Sequence, residues 1–174
     1  MKQKKYWLAL LVIAALLLTT MPVGAATTRT PVNAIEYVCL NTPGQEWVSG
    51  NVYHLRGQIH QNVVVADGVV WGINTASIGF DYNLKTGQMV ARAVADFVPL
   101  GADGGYSGIG FFRFSGAGAR PVFGLASLQG YGDRQGRSIH LDMDELPPDP
   151  IAGSVYCAGH GEYLESVLWD GYTQ

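Results

Sequence analysis

Apolar and polar residues alternate with a period of two along most of this chain, the pattern of strands that bury one face. Met89, Ala91, Ala93, Ala95 and Phe97 fall on one side of such a run, with Arg92 and Asp96 on the other. Ile139, Leu141 and Met143 alternate with Ser138, His140, Asp142 and Asp144. Tyr106, Gly108, Gly110, Phe112 and Phe114 alternate with a set that includes Ile109 and Phe111, which predicts a strand covered on both sides.

Turn chemistry divides the runs. Lys85-Thr86-Gly87 suits a tight hairpin with glycine at positive φ. Gly101–Gly105, Gly116–Gly118, Gly132–Gly136 and Pro147–Pro150 are further breaks. The pattern predicts about eight strands, near residues 35–40, 53–66, 69–83, 87–98, 105–115, 120–130, 136–145 and 153–169, the last bent or split. No stretch after the first 25 residues has helical period. Many strands joined by short hairpins imply an all-β fold, a single eight-stranded antiparallel barrel or a sandwich. Glycines inside strands favour the barrel, because they relieve crowding where strands bend to close.

The amino terminus stands apart. Lys2, Lys4 and Lys5 precede an apolar run from Trp7 to Leu18, and Val23-Gly24-Ala25 supplies small residues for cleavage. This is the layout of a signal peptide over residues 1–25, and the run is too short to cross a bilayer as a helix. The expected product is secreted, with a flexible segment over 26–34, a barrel domain over 35–174 and no stable membrane anchor. Cleavage leaves eight basic against fourteen acidic residues, a formal charge near −6 with Lys85 as the one lysine. A nucleic-acid partner is therefore not expected, since no concentrated basic surface is available to displace counterions.

Cys39 and Cys157 are the two cysteines of the 174-residue chain. An exported pair permits one disulfide, and a Cys39–Cys157 bridge is the leading expectation. The alternatives are two buried free thiols or a metal pair, for which lone cysteines without neighbouring histidines are poor ligands.

His54-Leu55-Arg56-Gly57, the strand Gly105-Tyr106-Ser107-Gly108-Ile109-Gly110-Phe111-Phe112 and the hairpin Gly130-Tyr131-Gly132-Asp133-Arg134-Gln135-Gly136 resemble secreted proteins of the allene-oxide-cyclase-like barrel superfamily, the group that includes plant dirigent proteins. The resemblance spans about residues 35–174 and rests on scattered glycine and aromatic positions. It implies an eight-stranded barrel with an apolar cavity. For some members it further implies cyclisation or coupling of hydrophobic small molecules without a redox cofactor. The cyclases' catalytic residues do not align to positions here, so none is carried over.

Candidate chemistry is sparse. His140, Asp142 and Asp144 share a strand face and are followed by Glu145 and Asp149, but same-face neighbours lie about 6.5–7 Å apart along a strand; a solvated outer face is the simpler account, and no metal is expected. His54, Arg56, Gln58 and His60 form a second polar face. If it points inward, Arg56 could hold a carboxylate and His54 could move a proton. His160 between two glycines reads as a loop residue. There is no nucleophile elbow and no phosphate-cradling glycine loop, and no cofactor is expected.

The aromatics are the remaining lead. Trp71, Tyr82, Tyr106, Phe112, Phe114, Tyr156, Tyr163 and Trp169 fall mostly on faces read as inward, either as packed core or as the wall of a pocket. Asn74 shares a face with Tyr82 and could supply a polar group. The expected binding set is thus Trp71, Asn74, Tyr82, Tyr106, Phe112 and Phe114, with Arg56 and His54. The leading expectation is a secreted barrel holding a small hydrophobic molecule. The rivals are a cofactor-free isomerase or cyclase, and a structural or assembly protein with a filled barrel, for which an oligomer is possible.

Overall fold

The computed structural model describes residues 28–114, 121–146 and 148–174. The signal-peptide expectation and the Gly116–Gly118 turn lie outside the described residues. Strands run in the order β1 (Thr30–Thr42), β2 (Gln45–Ser49), β3 (Val52–Ala66), β4 (Val69–Asn83), β5 (Met89–Pro99), β6 (Gly105–Phe114), β7 (Pro121–Tyr131), β8 (Ser138–Glu145) and β9 (Glu162–Thr173). A seven-residue helix, α1 (Pro150–Tyr156), precedes β9. All strand pairings are antiparallel, in the order β1-β9-β8-β7-β6-β5-β4-β3-β2. β1 also pairs with β3, which closes eight strands into a barrel and leaves β2 as an extra edge strand.

Three sequence expectations need correction. β1 begins at Thr30 rather than Ile35, so residues 30–34 are paired with β9 and are not a loose leader. The polar Thr and Asn there tolerate a strand because its outer side faces solvent. β2 was not expected; its five residues are all exposed, so it carries no burial pattern. The segment 153–161 is not strand. α1 starts on Asp149, whose Oδ1 accepts from the Ala152 amide at 3.0 Å, with Pro150 at the first helical position, where a missing N–H costs nothing.

Two cores result. Inside the barrel, Val32, Val64, Phe97, Tyr106, Leu128 and Ile139 are buried together. Outside it, Tyr37, Cys39, Val63 and Val65 form a second core with Tyr156, Tyr163 and Cys157 from α1 and its flanks. β1 therefore reads apolar on both sides. Tyr37 and Tyr156 stack with centroids 4.4 Å apart, and the Cys39–Cys157 disulfide ties α1 to the barrel wall across 118 residues of sequence. Tyr156 and Tyr163 thus lie on the outer face, not the interior.

Glycine supplies close approach where strands press together. A Cβ on Gly108 would sit 2.1 Å from the Ser127 carbonyl oxygen and 2.9 Å from the Leu128 Cα, both backbone atoms that cannot swing aside. Gly108→Ala is expected to destabilise the barrel by about 1–3 kcal/mol or more through forced strand displacement, read as a lower denaturant midpoint. An unchanged midpoint would show that β6 and β7 are free to separate there.

Candidate functional site

The inward face of the barrel is lined at its waist by small residues. Ala91, Ala93 and Ala95 on β5 face Gly108 and Gly110 on β6, and Ala126 follows on β7. An eight-stranded barrel is about wide enough for side chains to fill it; with methyl groups and hydrogens here, the filling is incomplete. A cavity of about 370 Å³ remains.

One end is sealed. Trp71 packs edge-on against Phe97 with centroids 4.7 Å apart, and Phe97 stacks on Tyr106 at 6.4 Å. Trp71 reaches this plug through a bulge in β4: Val64 pairs with Gly72 and Val65 with Val70, leaving Trp71 as the unpaired residue. Toward the other end Phe80, Met89, Phe112, Phe114 and Met143 are only half-buried, and Leu164 is 42% exposed. The cavity therefore approaches solvent at the end where β4 meets β5.

A polar cluster sits in this apolar chamber. Glu36 on β1 is 3% exposed. Its Oε1 accepts from Asn62 Nδ2 and Asn74 Nδ2, each at 2.6 Å, and its Oε2 accepts from the Trp169 indole N–H. Asn62 is oriented in turn by the Cys39 amide, which donates to its Oδ1 at 3.1 Å. The carboxylate is held by three neutral donors from β3, β4 and β9, with no Lys or Arg among the described residues of the lining. His60, two residues along β3 from Asn62, is 5% exposed. Its Nε2 lies 3.0 Å from Gln58 Oε1, which can only accept, so Nε2 carries the proton and Nδ1 is a lone pair. His60 Nδ1 and Asn74 Oδ1 are buried without partners.

Burial lowers the His60 pKa from 6.5 to about 4. A histidine depressed in the folded state contributes stability in full above pH 6.5, and that contribution is lost as pH falls toward 4. The loss amounts to about 3 kcal/mol. Denaturant unfolding at pH 7 and pH 4.5 measures it, and His60→Gln is expected to flatten this part of the profile. Equal slopes for both proteins would show that His60 protonates freely in the folded barrel.

The sequence-derived candidates separate into four groups. Trp71, Asn74, Phe112 and Phe114 line the cavity. Tyr106 is buried in the plug, while Tyr82, paired with Tyr53 and Met89, lies beyond the lining. His54 and Arg56 are on the outer face. The reason is a second bulge: Leu55 pairs with Phe80 but Gln58 with Ile78, and Gly57 takes φ +69°. The face inverts there, so Gln58 and His60 point inward while Arg56 and His54 point outward. Outside, Asp81 Oδ1 accepts from Arg56 Nη2 and contacts His54 Nδ1, both at 2.6 Å. Arg56 first and His54 second hold the Asp81 carboxyl below its ordinary range, and Trp47 stacks on His54 at 4.9 Å.

His140, Asp142 and Asp144 face outward opposite Ile139, Leu141 and Met143, with His140 Nδ1 3.3 Å from Ser127 Oγ. No cluster of metal-ligating side chains occurs among the described residues.

Glu36, His60, Asn62, Gln58 and Trp169 were missing from the expected binding set. A signal for Glu36 existed: it is the one charge within Ala34–Leu40, an otherwise apolar strand, and a charge so placed needs buried partners. Comparison with protein-family models, with curated proteins and with solved structures finds no match to this chain.

Proposed function

We propose that this protein is an exported barrel that binds one small, largely apolar molecule in its interior. The carrying observation is the cavity of about 370 Å³, within the usual size range of ligand pockets, with an apolar wall and one buried polar cluster. That combination of hydrophobic surface and few placed polar groups is the form small-molecule sites take. Export agrees with the amino-terminal pattern and with a disulfide, which persists in oxidising compartments. Membership of the allene-oxide-cyclase-like superfamily belongs to the same reading, supported by the closed eight-stranded barrel.

The test fills the hollow. Ala93 is 5% exposed at the waist of β5, and Ala93→Phe places a ring in the empty volume. Binding of a hydrophobic dye such as ANS to the native chain is expected to fall at least tenfold in the variant, with the cooperative unfolding transition retained. Equal dye binding by both proteins would place the dye on the outer surface and remove the proposal's support.

A second reading is favoured by one specific observation. A cofactor-free isomerase or cyclase needs an acid or base inside the chamber, and Glu36 and the Nδ1 lone pair of His60 both lie on its wall. In that reading Glu36 or His60 takes a proton from bound substrate and returns it at a second position. Turnover that survives Glu36→Gln and His60→Gln together would eliminate it.

A further inference from the structure

We infer that the occupant of the cavity is a hydrophobic amine, bound as the ammonium ion with its nitrogen at the Glu36–Asn74–His60 cluster and its apolar body along the alanine–glycine waist. This rests on the reading that the cavity takes a small apolar molecule and names the polar end of that molecule.

The argument is one of donors and acceptors. Glu36 is already met by one N–H from each of its neighbours: Asn62 and Asn74 each donate one to Oε1, and Trp169 donates to Oε2. Among the described residues, Asn74 Oδ1 and His60 Nδ1 are buried in the chamber without a partner, and both are acceptors. A carboxylate oxygen has lone pairs beyond the bonds it accepts here. The three groups share one face of neighbouring strands: Asn62 pairs directly with Asn74, and His60 with Ala76. A ligand that only accepts hydrogen bonds, such as a carboxylate, ketone or epoxide, leaves both of these buried acceptors unmet. A ligand with several N–H groups satisfies the orphaned acceptors.

Charge points the same way. Glu36 is buried with neutral partners alone, and a buried charge without a counter-charge is costly. The described residues of the lining include no Lys or Arg. His60, neutral at pH 7, offers no compensating positive charge. An ammonium ion completes the pair, whereas an anion is repelled.

Four probes of matched skeleton test the inference by calorimetric titration of the native chain at pH 7: 2-phenylethylamine, 2-phenylethanol, 3-phenylpropanoate and ethylbenzene. The amine is expected to bind about tenfold or more tighter than the alcohol, as a charge-assisted hydrogen bond exceeds a neutral one, and the propanoate is expected to be weakest. Glu36→Gln removes the advantage of the amine over the alcohol and leaves the ethylbenzene affinity in place. If that variant does not fold, Asn74→Leu, which deletes one free acceptor, is expected to shrink the same ratio several-fold. An alcohol or propanoate that matches the amine, with ethylbenzene also bound, overturns the amine while the apolar cavity stands. An amine bound equally by Ala93→Phe sits on the acidic outer surface and likewise overturns it. Failure of all four probes defeats the cavity reading itself.

Discussion

Reduction of the Cys39–Cys157 bond, or its replacement by paired serines, is expected to lower the unfolding free energy by about 4–5 kcal/mol. The bond closes a loop of 118 residues, and in the chain-entropy model loops of that length restrict the unfolded ensemble by about this amount. A local effect accompanies the global one. α1 has two turns and meets the barrel through Tyr156, Ala152 and the flanking Cys157 and through Gly153 against the Tyr163 ring, so the disulfide is one of few attachments that hold it. Amide exchange is therefore expected to rise first over residues 150–161, with β4 to β7 still protected. Denaturant titrations with and without reductant give the first quantity and hydrogen exchange gives the second. A change below about 1 kcal/mol would mean that the reduced unfolded chain is already compact enough to lose little freedom on crosslinking.

Glu36→Leu is expected to cost a further large amount, about 3–5 kcal/mol, although leucine is the more hydrophobic side chain. Its removal strands the N–H groups of Asn62, Asn74 and Trp169 in a site that water reaches poorly, and each buried orphan costs about 1–3 kcal/mol. The lost desolvation penalty of the carboxylate offsets part of this, since a buried charge is itself expensive. Combining Glu36→Leu with Asn74→Leu, which converts two partners at once, is expected to recover part of the loss, because it deletes one stranded donor and the orphaned Asn74 Oδ1 together. Chemical denaturation of the single and double variants reads both numbers. A single variant as stable as the native chain would show that water or side-chain rearrangement satisfies the three donors.

These two effects lie at places that alternation along a strand reveals to different degrees. On β5 every second residue from Met89 to Phe97 is turned inward, as the period of two predicts, because one face of that strand meets the interior and the other meets water. β8 behaves in the same way, which puts His140, Asp142 and Asp144 outside. β3 does not. One extra residue at Gly57 reverses the pleat, and a parity count carried across it assigns His54 and Arg56 to the same side as His60. Nothing in the local residue types except the glycine marks the inversion. β1 misleads for another reason: both of its faces are covered, one by the barrel interior and one by α1 with its disulfide, so Glu36 sits in an apolar run with no visible partner. α1 itself is too short for a 3.6-residue period to emerge, although Asp149-Pro150 carries the capping signature of its start.

The amino-acid order alone determined the strand rhythm and the antiparallel all-β class, since these follow from side-chain size and the geometry of an extended backbone within a few residues. Closure of β1 on β3 and the meeting of Glu36, Asn62, Asn74 and Trp169 were decided only in three dimensions. Glu36 and Trp169 are 133 positions apart, and contacts at that separation depend on how eight strands tilt, bulge and close, a property of the whole sheet that no local pattern encodes.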